Sequence, residues 1–325
     1  EIPLRLVGSE MCIRDSYDSN YTDDNTTIVV ANNVGRLKQC GVENIRIESP
    51  AQAVNHSKAL YYALRINGED CWAKDINAME TMESIGIGGR RITLQQVNVI
   101  RKALHQGASK PAEFAPNGGQ ILLDRCSVEG DNIWFAALGA GQTGPIVFLN
   151  CTFKGNGRIE GHQRWSTGIL LDNCSLPNGG IDFKNRGSMG SGHGWGTAWS
   201  VVWNCTAKSY VNQLPPGTYN WVIGSKGEST PLRRPFNQSG PTLPVGIFDS
   251  HNISVTPQSL YLAQLKERLG NTALQNIGYG LSEQNPIPKE TDYIFQGGMQ
   301  ADASLRNRDF NAIHEYCLLY TSDAA

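Results

Sequence analysis

GGQILLDRC at residues 118–126, GPIVFLNC at 144–151, GILLDNC at 168–174 and AWSVVWNC at 198–205 share one pattern. Each is an apolar run closed by one or two polar residues and then Cys, and each continues with Ser or Thr. The cysteines lie 25, 23 and 31 residues apart, and the longest interval holds the Gly-rich insertion GSMGSGHGWG at 187–196. A repeat of twenty-odd residues is the mark of stacked supersecondary units that bury a common core only through their neighbours. Runs of five to seven apolar, β-branched residues bounded by Gly and Asn read as buried strands, with no helical pattern between them. The fold class expected is therefore all-β, a right-handed parallel β-helix, or solenoid, with a short C-terminal flanking helix.

Earlier turns are expected at ENIRIES (43–49), YYALRINGEDCWAKDI (61–76) and GGRRITLQQVNVI (88–100). Toward the other end, Thr256 and Pro257 read as an N-cap followed by the first helical position. Tyr261, Leu265 and Leu269 repeat at four residues, and Gly270 supplies a C-terminal stop. That amphipathic helix is expected to flank the solenoid and protect strand edges. The Pro- and Ser-rich stretch 224–246 reads as a loop leaving the last turn.

Both termini read differently. LVGSEMCIRDS, ending at Ser16, and CLLYTSDAA at 317–325 are what the two arms of a sequencing adapter encode in translation. The organisation expected is thus 1–16 adapter, 17–224 an N-terminally truncated parallel β-helix, 225–316 loop and flanking helix, and 317–325 adapter. Cys12 and Cys317 then drop out of the eight cysteines, leaving Cys40, Cys71, Cys126, Cys151, Cys174 and Cys205, with no Cys-x-x-Cys pair. The last four are expected as a column of reduced thiols in the core.

The chain has 325 residues, of which 35 are glycine and 18% are charged, which favours one long turn-rich architecture. With 28 Lys and Arg against 30 Asp and Glu, it carries no global electrostatic footprint for nucleic acid. No apolar run is long enough to span a membrane as a helix. A charged ligand must meet a local cluster.

That cluster is predicted from Arg158-Ile159-Glu160-Gly161-His162-Gln163-Arg164-Trp165 and, one turn later, Gly180-Ile181-Asp182-Phe183-Lys184-Asn185-Arg186. With Ile159 and Ile181 pointing inward, the two-residue period of a strand sends Glu160, His162 and Arg164 outward, and likewise Asp182, Lys184 and Arg186. Glu160 should then sit over Asp182, His162 over Lys184 and Arg164 over Arg186. Trp134 and Asn212 are placed in the Glu160 column, and His193 and Trp195 on the Gly-rich loop should fold over the row. Six of the seven tryptophans lie between 134 and 221, and Trp165 and Trp195 are candidate platforms for a sugar face.

At these residues the chain resembles the pectate-lyase-like parallel β-helix superfamily. The motifs GHQRWSTG (161–168), IDFKNRGSMGSGHGW (181–195), WNCTAKSY (203–210), QLPPG (213–217) and NWVIG (220–224) are similar to those of a group of secreted bacterial β-helix proteins. SLYLAQL (259–265) and NIGY (276–279) extend the resemblance over about residues 44–278. It implies secretion or a periplasmic location and a saccharide partner, but the superfamily includes lyases, hydrolases, esterases and adhesins. The pectate lyases' Arg-x-Pro-x-x-Arg signature and aspartate calcium cluster have no counterpart, so Ca2+ has no motif behind it and no cofactor or metal is expected. Of the polygalacturonase motifs only Gly192-His193-Gly194 is matched.

The function expected is a polysaccharide lyase cleaving an acidic glycan by β-elimination. Arg164 and Arg186 would neutralise the uronate, His162 or Lys184 would act as base, and His193 as acid. Glu160, Asp182, Trp134, Trp165, Trp195 and Asn212 would bind substrate. The alternatives are a glycoside hydrolase using Glu160 and Asp182, and a non-catalytic glycan-binding or envelope adhesion protein. The expected partner is a polysaccharide or oligosaccharide, with no nucleic acid and no membrane span, and the chain is expected to be a monomer.

Overall fold

A computed structural model describes residues 35–52, 62–105, 110–142, 144–190, 192–231 and 242–280. The expected adapter segments 1–16 and 317–325, with Cys12 and Cys317, lie outside the described residues. What is described is a parallel β-solenoid of about seven turns with one helix. Three long strands open it, β1 (Gly41–Glu48), β2 (Leu64–Met79) and β3 (Ile85–Ile100), followed by β4 (Ala112–Asp124). Beyond β4 each turn breaks into shorter strands on three faces.

The first face continues from the end of β4 through β7 (Ile146–Leu149), β11 (Ile169–Asp172), β14 (Ser200–Trp203), β16 (Asn220–Ile223) and β18 (Ile247–Asp249). The second holds β5 (Ser127–Glu129), β8 (Thr152–Lys154) and the starts of β12 (Ser175–Phe183) and β15 (Thr206–Asn212), then β17 (Lys226–Ser229). The third holds β6 (Trp134–Leu138), β9 (Arg158–Gly161) and the ends of β12 and β15. A small parallel pair, β10 (Ser166–Thr167) with β13 (Thr197–Ala198), lies beside it. Strands β17 and β18 pair in parallel with the turn before them, so the solenoid runs on past the expected boundary at 224.

The repeated Asn-Cys pair builds the corner between the first two faces. Asn150, Asn173 and Asn204 have φ of 51°, 53° and 48°, a left-handed conformation that Asn tolerates better than most side chains. Gly224, with φ 64°, takes the same place in the next turn. The following Cys points inward, and Cys126, Cys151, Cys174 and Cys205 are buried free thiols in one column, as the repeat predicts. Each of the last three donates to a carbonyl of the preceding turn: Cys151 to Leu123 at 3.3 Å, Cys174 to Phe148 at 3.2 Å and Cys205 to Leu171 at 3.3 Å.

The first face explains its own unbroken apolar runs. Leu123, Phe148, Leu171, Val202 and Val222 point into the solenoid core. The alternate residues Val147, Leu170, Val201 and Trp221 point outward, where they join Trp203 and Ile223 in a second cluster. Helix α1 (Leu260–Asn276) covers that cluster with Leu262, Leu265 and Leu274. Strands buried on both sides read as continuous apolar runs.

The helix starts later than expected. Its N-cap is Ser259, whose hydroxyl accepts from the Leu262 N–H at 3.1 Å. Thr256 and Pro257 lie in the approach. Gly270 is non-helical, but as a kink within the element rather than an end, because the helical turns resume and run to Asn276. Leu262 and Leu265 are buried, whereas Leu269 is exposed, so the packed stripe is displaced from the expected one. Among the described residues no helix is long and apolar enough to cross a membrane.

Candidate functional site

The third face carries the charged cluster, and its register decides the geometry. Ile159 pairs with Ile181 and both lie in the core, so Glu160 and Asp182 are adjacent outward residues, as alternation requires. Arg158 is also outward, opposite Gly180. A Cβ at position 180 would fall 2.5 Å from the Arg158 guanidinium carbon, so the bare glycine lets that side chain cross to the next rung. There Arg158 grips Asp182 with two nitrogens, Nε at 2.7 Å from Oδ2 and Nη2 on Oδ1. Lys184 Nζ reaches Asp182 Oδ2 at 2.5 Å and lies 3.6 Å from Glu160 Oε2. The other oxygen of Glu160 lies 2.6 Å from His162 Nδ1 and 3.0 Å from Arg186 Nη1, which also donates to the His162 carbonyl at 2.7 Å.

The Gly-rich loop closes over this row. Asn185 and Trp195 form an antiparallel bridge, and the Gly196 N–H donates to the Lys184 carbonyl at 3.0 Å. Two glycines make the close approach possible, since a Cβ on Gly196 would lie 2.1 Å from the Gly161 carbonyl oxygen. The His193 ring then sits 4.9 Å from that of His162, and Trp165 and Trp195 stack with centroids 6.2 Å apart. Trp134 meets His162 edge-on at 5.9 Å, and Arg186 and Lys110 approach its ring at 5.6 and 5.5 Å.

The row points outward beneath the loop: Glu160, Asp182 and Arg186 are buried, while the His162 side chain keeps 28% of its surface and Lys184 12%. Several sequence expectations need correcting. Arg164 does not stack on Arg186. Its backbone N–H donates to the His193 carbonyl, and its Nε reaches the Gly192 carbonyl at 3.3 Å, so it belongs to the roof, while Arg186 turns back to Glu160. Trp134 pairs with Arg158 rather than with Glu160, because a register irregularity lies between Trp134 and Ala136, and Ala137 takes the Glu160 column. Its ring reaches the site all the same.

Asn212 is not brought to the site. It pairs with Phe183, leaving Val211 beside Asp182, and its amide donates to the Ile247 carbonyl at 3.0 Å. Arg158 and Lys110 are participants that the sequence reading did not single out. Arg158 shares the parity of Glu160 and was legible by alternation. Lys110 enters from a connection two turns earlier and carried no local signal.

Electrostatics sort these groups further. Burial raises the Asp182 carboxyl, but Lys184 and Arg158 outweigh it and hold the group below its ordinary value. Burial, then the Arg186, His162 and Arg164 charges, push His193 down to about 4, so it is neutral at neutral pH. Lys110 is lowered by burial and by Arg158. A carboxylate accepts and does not donate, so His162 Nδ1 carries its proton toward Glu160 and Nε2 is the basic nitrogen.

Three buried polar atoms in the cluster have no hydrogen-bond partner among the described residues: Glu160 Oε2, Arg186 Nε and His193 Nδ1. Buried polar atoms are seldom left so unless a ligand or water completes them. Among the described residues no group of three His, Cys, Asp or Glu is placed to hold a metal ion. Compared with known proteins, the chain matches no family model, no curated protein and no solved structure.

Proposed function

We propose that this chain is a secreted or periplasmic, monomeric carbohydrate-active protein of the pectate-lyase-like kind, cleaving an acidic polysaccharide by β-elimination. The observation that carries the reading is the 2.6 Å contact between His162, still partly exposed, and the fully buried Glu160, inside a collar richer in cations than in carboxylates. Glu160 is a positioning residue that fixes the tautomer and ring of His162. His162 Nε2 is the base that takes the C5 proton of a uronate. The C5–H electron pair becomes the C4–C5 double bond as the C4–O bond breaks, and the imidazolium can return its proton to the leaving oxygen. Arg186, Arg164 and Lys110 favour a substrate carboxylate and the charge that develops on it.

Lys184 is a weaker base candidate, since its ammonium is clamped by Asp182 and Glu160 rather than crowded by cations. His193 is a weaker acid candidate, because an imidazolium there persists only below about pH 4. Trp134 and Trp195, both partly exposed, would hold the sugar faces, whereas Trp165, expected as a platform, is buried at 6% exposure against Trp195 and offers no open ring. The hydrolase reading requires one carboxyl to stay protonated as general acid. Asp182, held low by Lys184 and Arg158, suits that poorly.

The test is a panel of uronate and neutral polysaccharides, following unsaturated-uronate absorbance and reducing ends together. Both signals are expected with a uronate polymer, and His162→Ala should lower turnover by roughly 10²- to 10⁴-fold while the fold is retained. Glu160→Gln should shift the pH profile as well as the rate. Reducing ends without absorbance would point to hydrolysis instead, and binding without either signal to adhesion.

A further inference from the structure

The outward side of the third face extends beyond the charged cluster toward the N-terminus, and there it forms a cavity of about 470 Å³. Arg36, Arg65, Asn67 and Asn117 supply its polar side chains, and no Asp or Glu lines it. Neither arginine makes an ion pair among the described residues, although Arg65 rests on the Tyr62 ring at 4.6 Å. Asn117 is oriented: its carbonyl oxygen accepts from Gln142 Nε2 at 2.6 Å, and Gln142 Oε1 in turn accepts the Gly118 N–H at 2.7 Å. The amide end of Asn117 therefore remains a donor with no side-chain or backbone acceptor among the described residues.

The floor is cut down to admit these groups. Arg65 pairs with Gly86 and Asn67 with Gly88, and a Cβ on either glycine would come within 3.2 Å of its neighbour's polar atoms. The same register leads through Ala115 and Ala137 into the Glu160 column. Four rungs separate Arg65 from Glu160, about 19 Å along the solenoid axis at roughly 4.8 Å per rung.

We infer that Arg36, Arg65 and Asn117 form a second anion site on this face, which binds a distant carboxylate of the same acidic polymer whose reacting unit lies at His162. Two guanidiniums and an amide donor, with no carboxylate among them, select an oxyanion, and Arg matches a planar carboxylate with two parallel N–H donors. The polymer would then lie along the axis with charged groups engaged at both ends of the span. This rests on the reading of the His162 cluster as the glycan site.

The experiment uses uronate oligosaccharides of graded length binding to the full chain carrying His162→Ala, measured by calorimetry. Affinity should climb until the oligomer spans about 19 Å and then level off. Adding Arg36→Ala and Arg65→Ala should together cost the long oligomers roughly 10- to 100-fold, since the site is partly wet and water takes over some of the lost hydrogen bonds. Dimers and trimers, too short to reach, should bind within about twofold of the parent. Arg65→Lys should recover only part of the loss. Equal loss for short and long oligomers, or none for long ones, overturns the inference. Loss of a sulfated neutral glucan with uronate oligomers unaffected would overturn the carboxylate assignment. If the wild-type chain binds but turns over none of these uronates, the elimination fails, while the length-dependent effect of the two arginines still supports the second site.

Discussion

Two outward rows of the solenoid are covered, and they are covered in opposite ways. On the first face, Leu170, Val201, Trp203 and Trp221 meet Leu262, Leu265 and Leu274 of α1, apolar against apolar. On the third face, Glu160, His162, Asp182 and Lys184 meet a Gly-rich loop held largely by backbone hydrogen bonds, and buried polar atoms remain unpartnered beneath it. The first cover removes apolar surface from water and needs nothing further. The second encloses charge at a desolvation cost that ion pairs only partly offset. A face assembled for stability alone would be expected to resemble the first.

The comparison breaks most visibly at Trp203. This side chain is 6% exposed within the helix-covered cluster, and its Nε1 donates to the Pro257 carbonyl at 2.9 Å. Trp203→Ala should cost about 3–5 kcal/mol of stability by denaturant titration. It should leave glycan affinity at the third face unchanged, since the row there does not contact this cluster. A loss below about 1 kcal/mol would mean that α1 is not a packed cover.

How far each face could be read from sequence follows the same division. The apolar runs ILLD, IVFL and SVVW announced strands, and the Asn-Cys pairs fixed their phase, because one left-handed residue per turn repeats the corner. That the runs are apolar on both parities also implied an outer cover, which the reading assigned only loosely to a flanking helix. On the third face, aligning Ile159 with Ile181 placed Glu160 beside Asp182 correctly. It misplaced Trp134 and Asn212 because strand counting passes silently over register shifts. The Gly-rich insertion at 187–196 announced a cover over the row, but how closely it seats depends on the Gly161–Gly196 approach, which strand alternation does not reveal.

A medium-sized effect tests the polar rim of the apolar cover. Asp172 is fully buried at the start of α1, accepting from the Ser259 hydroxyl and the Tyr261 N–H, each at 2.7 Å. Burial nevertheless pushes its carboxyl from 3.8 up to about 7, with those hydrogen bonds opposing the rise. The folded chain thus holds the proton more tightly than the unfolded one. Below pH 3.8 the group is neutral in both states and costs nothing. As pH rises from there to about 7 stability falls, by at most about 4 kcal/mol. Thermal midpoints of the wild type should therefore decline relative to Asp172→Asn between those limits. A wild type that gains on the variant with rising pH would show that the helix N-terminus favours the carboxylate over the neutral acid.

A smaller change in stability, and the most informative for the polar cover, should come from Gly196→Ala. Gly196 does not occupy a left-handed backbone conformation, so alanine carries no conformational penalty there. The conflict is one of contact. The new methyl would lie 2.1 Å from the Gly161 carbonyl oxygen and 3.1 Å from that of Lys184, and backbone atoms cannot swing aside as a side chain can. The loop must lift, at about 1–3 kcal/mol. His193 would then leave the neighbourhood of Arg186 and His162, and its pKa, followed by NMR, should return from about 4 toward 6.5. Gly192→Ala is the control. At φ 81° with nothing within 4 Å of its Cβ, it meets a conformational cost of about 1 kcal/mol but no clash, so His193 should keep its depressed value. An unchanged His193 titration in Gly196→Ala would show that the close approach to Gly161 does not hold the roof down. A matching shift in both variants would trace the effect to general loosening of the loop rather than to that contact.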